Sequence, residues 1–343
     1  MKTIDLILVG LGNVGKGFLT LLANEADRIL ADFELKFRVV GLADLQTGNF
    51  INPDGFDPAG LLEMLDQGDL RAIEPLRSNL PTDQLISSLP AHFLVEASYT
   101  NFETAEPAFS YMKAALTTGK HVVTSNKGPI ALYYQELAGL AKVNKVRLGV
   151  EGTVMSGTPT MRMGTEILRG AKIEKIQGIL NGTTNYILSK MAEGQDYQSA
   201  LRDAQNLGYA EADPTGDVEG FDAAGKVVIL ANLVMGTPIK LEQVERTGIT
   251  GLKISDIQAA KQNHSTWKLL GTIEKTTLGS KATVTPVMLP NSHPLAGVNG
   301  ATNAVTFSTK LMGEITLIGA GAGRIETGFA LLNDILTIES STP

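Results

Sequence analysis

The chain contains no cysteine. Disulfides, cysteine-ligated zinc and thiolate nucleophiles are therefore excluded. Histidine is scarce: His92, His121, His264 and His293 show no metal-ligand spacing and read as structural or surface residues. Basic residues are in deficit, 29 against 36 acids, for a net charge of −7. That balance argues against a large nucleic-acid footprint and leaves small ligands open. No apolar run is long enough to span a membrane; the opening MKTIDLILVGLG is short and broken by Asp5. It carries no targeting pattern, so the expected location is cytoplasmic.

What is present is core. With 343 residues, 43% apolar and 19% charged, the chain has material for two domains and is not disordered. Residues 1–150 alternate strand and helix signals. Ile4–Gly10, Phe37–Asp44, Phe93–Ser98, His121–Ser125 and Val146–Val150 read as strands, with helices over Val14–Leu30 and Glu103–Thr118. This alternation predicts a parallel sheet covered on both faces. After Glu151 the pattern turns α+β. Strands are expected over Lys172–Leu180, Lys268–Glu274, Lys281–Val287, Ala304–Ser308 and Glu314–Ile318. Helices are expected over Thr184–Met191, Tyr197–Leu207, Asp222–Leu233 and Ser255–Gln262. The fold class expected is α/β: a Rossmann-type doubly wound sheet over 1–150, then a second α+β domain over 151–318. The segment 319–343, a glycine cluster and a helix, is expected to pack back on the first domain.

The first strand ends in GLGNVG, where Gly10, Gly12 and Gly15 match G-x-G-x-x-G between a strand and a helix. In that context glycine permits a tight turn and close backbone approach to a pyrophosphate, at a helix N-terminus that favours negative charge. The second strand ends in Asp44, placed to accept hydrogen bonds from an adenosine ribose. An acid there repels a 2′-phosphate, and no cation directly follows it in DLQTGN, which favours NAD over NADP. Asp44 lies 34 residues after Gly10, beyond the usual spacing of about 20. An insertion around Ala26–Phe33 explains this; alternatively, Asp44 only caps a turn.

A second stretch, GYAEADPTGDVEGFDAAGK, gathers Glu211, Asp213, Asp217, Glu219 and Asp222 ahead of a single cation, Lys226. It is either a solvated loop or a pocket for a cationic, polar substrate. Asp222 and Lys226 are four apart at the start of an apolar helix, on one face and in the favourable acid-before-base order.

These stretches, with TSNKGPIAL (Thr124–Leu132), NGTTNYILSKM (Asn181–Met191) and HPLAGVNGATNAV (His293–Val305), occur in the order found in homoserine dehydrogenases. The chain resembles that family over nearly its whole length, in a short form without an ACT domain or an aspartokinase fusion. The resemblance implies reversible NAD(P)H-dependent reduction of L-aspartate 4-semialdehyde to L-homoserine, in threonine and methionine biosynthesis. It implies a homodimer, with catalysis and dimerisation in the second domain. Residue by residue, it places Glu211 and Asp217 on the substrate ammonium. Asp222 and Lys226 fall at the reacting oxygen, and Gly182, Thr183 and Tyr209 match the remaining substrate contacts. To the cofactor contacts it adds Asn13, Val14, Ser98, Thr100, Ser125, Lys127 and Gly323. It also implies a monovalent cation, Na+ or K+, on Glu151, Val154, Ser156 and Thr158, although EGTVMSGTP departs from the family's alanine- and glycine-rich form.

The residues themselves point the same way. Reducing a carbonyl creates an alkoxide that needs a proton donor. With no cysteine and no well-placed histidine, lysine is the best available acid. Lys226 donates directly or orients a water with Asp222; Lys127 is the competing donor. Asp213 and Glu219 are expected to be merely solvated. Thr183 or Thr184 is expected to cap the helix after Asn181, and Thr327 the final helix. Two rivals share some of these features: another NAD(P)-dependent amino-acid dehydrogenase, and a non-catalytic NAD-binding regulator. An aspartate semialdehyde dehydrogenase would need the missing cysteine.

Overall fold

The computed structural model describes residues 1–277 and 279–341. They form two compact units: Met1–Gly157 with the C-terminal segment from Gly323, and Thr158–Ala322. Residues 151–157, expected in the second domain, thus cluster with the first, and the return begins at Gly323 rather than 319.

The first unit is built on a seven-stranded sheet. Its strands are β1 (Lys2–Val9), β2 (Leu35–Asp44), β3 (Gly48–Phe56), β4 (Arg77–Ser78), β5 (Phe93–Glu96), β6 (His121–Thr124) and β7 (Leu148–Gly149), in the order β4-β3-β2-β1-β5-β6-β7. β2, β1, β5, β6 and β7 run parallel. The order reverses between β1 and β5, and in such sheets ligands bind beyond the strand ends at that reversal. Ile4, Leu6, Ile7 and Leu8 are fully buried, as a central parallel strand covered on both faces requires.

The sequence reading missed β3 and β4, which extend the sheet antiparallel at the β2 edge. GNFINPDGF carries Gly, Asn and Pro in place of a strand's β-branched run. The single helix expected over 14–30 is two, α1 (Asn13–Asn24) and α2 (Ala26–Phe33), broken at Glu25. α2 is the insertion that lengthens the path to Asp44. Also missed were α3 (Pro58–Gln67), capped by Asp57 with Pro58 in its first turn, and α4 (Thr82–Ser88). α5 (Ala108–Thr117) starts later than Glu103, because the Asn101 side chain takes the N–H groups of Glu103 and Thr104 and holds them in a turn. α6 (Lys127–Val143) follows β6.

The second unit holds a six-stranded sheet of β8 (Ile173–Ile179), β9 (Glu245–Arg246), β10 (Ser265–Thr276), β11 (Gly279–Pro290), β12 (Thr302–Thr309) and β13 (Gly313–Ala320), ordered β13-β12-β8-β10-β11-β9. Its pairs are antiparallel except β11 with β9. The helices are α7 (Thr160–Arg162), α8 (Gly182–Ala192), α9 (Tyr197–Asn206), α10 (Thr215–Val218), α11 (Phe221–Leu233) and α12 (Ile254–Gln262). α8, α11 and α12 pack on the sheet. Every residue of α11 from Ala223 to Ala231 is buried, so it is a core helix and not a surface one.

The last helix, α13 (Arg324–Ser340), belongs to the first unit, where Asp334 accepts the Glu151 N–H at 2.9 Å. Among the described residues no helix is long and apolar enough to cross a membrane.

Candidate functional site

In the first unit the glycine loop leaves β1 at the sheet's reversal point. A Cβ on Gly10 would lie 2.4 Å from the Ala97 carbonyl, and one on Gly15 only 2.0 Å from the Gly10 carbonyl. Only glycine lets these backbones meet. Beside Gly12, by contrast, a Cβ would meet nothing within 4 Å. No side chain caps α1, so the first N–H groups of the helix, on Asn13 and Val14, are available to an anion. This cradle fits a dinucleotide pyrophosphate.

Asp44 does cap a turn, accepting from Gln46 N at 2.9 Å and Thr47 N at 3.1 Å through Oδ1. Its Oδ2 accepts from Leu11 N at 3.0 Å, which ties it to the glycine loop as well. Burial pushes this carboxyl up, but the hydrogen bonds from Leu11, Gln46 and Thr47 outweigh it and hold the group below its ordinary value.

Ser98 and Thr100 lie in the chain leaving β5, and Ser125 in the chain leaving β6. Lys127 is the first residue of α6, whose N-cap is Asn126. Gly323 is the N-cap of α13 at φ +150°. Thr327 does not cap that helix as expected. It lies a turn inside, buried, with its hydroxyl 2.8 Å from that of Ser156. Glu151, Val154 and Ser156 are buried in this unit, whereas Thr158 belongs to the second, where its hydroxyl donates to the Ala320 carbonyl at 3.3 Å.

The acid-rich segment lies wholly in the second unit and forms a cluster. Lys226, only 6% exposed, donates to Asp222 Oδ2 at 2.7 Å and to the Leu180 carbonyl at 2.6 Å. An ammonium has three donors; the third has no partner among the described residues. Asn181 is the hub that the sequence reading overlooked. Its Nδ2 donates to Asp217 Oδ1 at 2.6 Å and Asp222 Oδ2 at 3.1 Å, while its Oδ1 caps α8 by accepting Thr184 N at 2.9 Å. The cap is thus Asn181, and not Thr183 or Thr184, two and three residues later. Thr183 instead donates to the Tyr209 carbonyl at 2.6 Å, joining α8 to the acid-rich loop. Gly182 has no room for a side chain, since a Cβ would come within 2.6 Å of the Ala301 carbonyl.

Burial pushes the Asp217 carboxyl up, helped by neighbouring Asp222 and opposed by Asn181. Glu211 is exposed, with its carboxylate unpartnered among the described residues, and the Tyr209 ring lies tilted against that of Tyr186, centroids 5.1 Å apart. Asp213 is exposed and accepts from Thr215, through its N–H at 3.1 Å and its side chain. Glu219 is not merely solvated: its carboxylate accepts from Thr250 at 2.7 Å and its carbonyl from Arg246.

The histidines serve the backbone. His92, His121 and His293 each accept a main-chain N–H through Nδ1, from Asp5, Arg147 and Leu295. No group of three or more His, Asp or Glu suited to a metal occurs among the described residues. A second buried lysine, Lys268, was also overlooked. It donates to Asn185 Oδ1 and Asn299 Oδ1, each at 3.0 Å, and to the Val298 carbonyl. Its position in the strand WKLLGTI gave no sign of a buried charge.

Comparisons with known proteins bear on both units. A family model described as homoserine dehydrogenase, NAD binding domain, matches residues 10–151, and one described as homoserine dehydrogenase matches 159–336. An NAD(+)-dependent homoserine dehydrogenase of Pseudomonas canavaninivorans is 42% identical, covering 99% of this chain and 97% of the relative. A homoserine dehydrogenase of Methanocaldococcus jannaschii is 38% identical, covering 98% and 99%. Among solved structures, a homoserine dehydrogenase from Thiobacillus denitrificans is similar with a TM-score of 0.85 at 33% identity, covering 98% of this chain and 73% of that one. A hyperthermophilic archaeal homoserine dehydrogenase mutant in complex with NADPH gives a TM-score of 0.86 at 31% identity, covering 100% and 99%.

Proposed function

Since the chain belongs to the homoserine dehydrogenase family, NAD(P)-dependent oxidoreductases acting on a CH–OH group, we propose that Lys226 is the acid–base group of its reaction. The observation that carries this is the buried Lys226 amine, fixed by Asp222 and the Leu180 carbonyl with one donor left over. When bound, the nicotinamide supplies or takes up the hydride. The chain's part is to hold the amino acid and to manage the proton at its oxygen. Lys226 donates that proton to the forming alcohol and recovers it in the reverse direction, with Asp222 orienting it. Lys127 ranks second for this role.

Asp217 and Glu211 hold the substrate ammonium. Thr183 and the backbone at Gly182 and Tyr209 complete the subsite, with the N-terminus of α8 suited to the substrate carboxylate. The cofactor lies on Gly10, Gly12, Asn13, Val14 and Gly15, with Ser98, Thr100, Ser125, Lys127 and Gly323 toward its nicotinamide end. Asp44 favours NAD, because its depressed carboxyl stays ionised and repels a 2′-phosphate. The NAD(+)-dependent relative agrees with that preference.

A Na+ or K+ ion on Glu151, Val154, Ser156 and Thr158 belongs to this reading; oxygen ligands suit a hard cation. So do a homodimer and a cytoplasmic role in threonine and methionine biosynthesis. Edge strand β13, with Ile318 59% exposed, and Met288 on β11, 47% exposed, give the second sheet apolar surface for a partner copy.

The test is oxidation of L-homoserine with NAD and with NADP, in wild type and Lys226→Ala. Wild type turns over, faster with NAD, and Lys226→Ala loses about a hundredfold or more, the scale of acid–base catalysis. Undiminished turnover in Lys226→Ala removes that lysine from the mechanism.

A further inference from the structure

Glu96 ends β5 with its side chain completely buried. Its partners among the described residues are all neutral. Oε1 accepts from the Ser98 N–H at 3.0 Å and from the Ser98 hydroxyl, and Oε2 accepts from the Thr124 hydroxyl at 2.9 Å. Burying an acid without a cation is costly, and burial accordingly pushes this carboxyl up, with the hydrogen bonds from Ser98, Thr124 and Asn126 offsetting part of the rise. Every other residue of β5 is apolar. The strand alone gives no reason for an acid here.

The reason lies in what the two oxygens join. One holds the chain leaving β5, the other the last residue of β6. The Thr124 hydroxyl in turn accepts the Asn126 N–H at 2.9 Å. The Asn126 Nδ2 donates back to the Tyr99 carbonyl at 2.9 Å and the Ser98 carbonyl at 3.3 Å. Its Oδ1 accepts the Gly128 N–H at 3.2 Å, capping the helix that starts with Lys127. Glu96, Ser98, Asn126 and Thr124 thus close a ring of hydrogen bonds. It locks together the carboxyl ends of two adjacent parallel strands, the place where sheets of this type bind ligands.

We infer that Glu96 is a positioning residue for the reaction, setting Ser98 and Lys127 through this ring without touching either reactant. The inference rests on the proposed roles of Ser98 and Lys127. Both oxygens of Glu96 accept here, and a glutamine NH2 in place of Oε2 takes the acceptor from the Thr124 hydroxyl proton, so glutamine weakens the ring at one point. Thr124→Val opens it at another without changing size, and Thr124→Ser restores the hydroxyl.

The experiment measures kcat and KM for homoserine, the Kd of NAD by titration and the melting temperature in Glu96→Gln, Thr124→Val and Thr124→Ser. Glu96→Gln and Thr124→Val are expected to lose tenfold or more in kcat, with KM for homoserine within about twofold of wild type. Thr124→Ser is expected to recover to within about threefold. A folded Glu96→Gln or Thr124→Val with wild-type kcat and NAD affinity overturns the inference, as does Thr124→Ser behaving like Thr124→Val. Should Glu96→Gln not fold, the threonine pair decides alone. Wild type inactive on homoserine sinks the underlying reading; active wild type with an indifferent Thr124→Val sinks only this one.

Discussion

Lys226 on α11 and Lys268 on β10 both lie in the second unit, 6% and 1% exposed, yet their surroundings differ. Lys226 pairs with a carboxylate, Asp222, and keeps one donor without a partner among the described residues. Among the described residues Lys268 meets only neutral oxygens, from Asn185, Val298 and Asn299, and all three of its donors are engaged. Asn185 also binds the Val298 and Thr302 carbonyls, so the Lys268 pocket ties the loop after Val298 to α8. A charge with a donor to spare is equipped for chemistry. A charge with every donor satisfied holds a loop.

If that contrast is right, the two lysines fail in opposite ways when replaced by methionine. Lys268→Met leaves the buried Asn185 Oδ1 without its donor and takes a charge-assisted bond from the Val298 carbonyl, which keeps the Asn185 Nδ2 bond, and should lower stability by about 3 kcal/mol. A thermal melt checks this; an unshifted melt means the loop is held by its apolar contacts instead. Lys226→Met should cost less stability than Lys268→Met, because Asp222 retains Asn181 and some access to water and the Leu180 carbonyl alone loses a buried donor. Its turnover should nevertheless fall about a hundredfold, roughly 2.7 kcal/mol of barrier. A Lys226→Met that loses stability but not turnover would erase the distinction.

Asp217→Asn sharpens the comparison within the Lys226 pocket. Asn181 holds both Asp217 and Asp222, and of these two it is Asp222 that accepts from the lysine. Removing the Asp217 charge should raise KM for homoserine about tenfold, near 1.4 kcal/mol, and leave the Kd for NAD alone. Initial rates over both substrates separate the two effects. A loss confined to kcat would instead assign Asp217 to the proton chemistry.

The same contrast explains what could be read in advance. The glycine loop, the α11 helix and the Asp222–Lys226 spacing are local signals, fixed by a few neighbouring residues, and each is where the pattern put it. Asn181 and Lys268 act across 36 to 41 and 83 to 30 residues of chain respectively, a distance at which spacing carries no information. Strand β3 was invisible because its sequence reads as a loop and only pairing with β2 makes it a strand. The misplaced caps had a different origin: Thr183, Thr184 and Thr327 are good capping residues by type, but Asn181 and Gly323 came first in the chain and took the position.

The smallest expected effect tests the Lys268 pocket through pH. Burial lowers the Lys268 amine from 10.5 to about 8. Between those values the unfolded chain binds the proton and the folded chain releases it, so stability rises with pH there. Below about pH 8 both forms are charged and the full penalty of burying the ammonium applies. From pH 8 to 9 the penalty should shrink by roughly 1 kcal/mol, and it should vanish above about 10.5. Lys268→Met lacks this group, so subtracting its stability from that of wild type isolates the lysine from other titrations. Urea midpoints of the pair, measured from pH 7 to 10, should move apart in favour of wild type as pH rises. A constant gap would mean the three oxygens keep the amine charged throughout, and Lys268 would then hold its loop as a full ion.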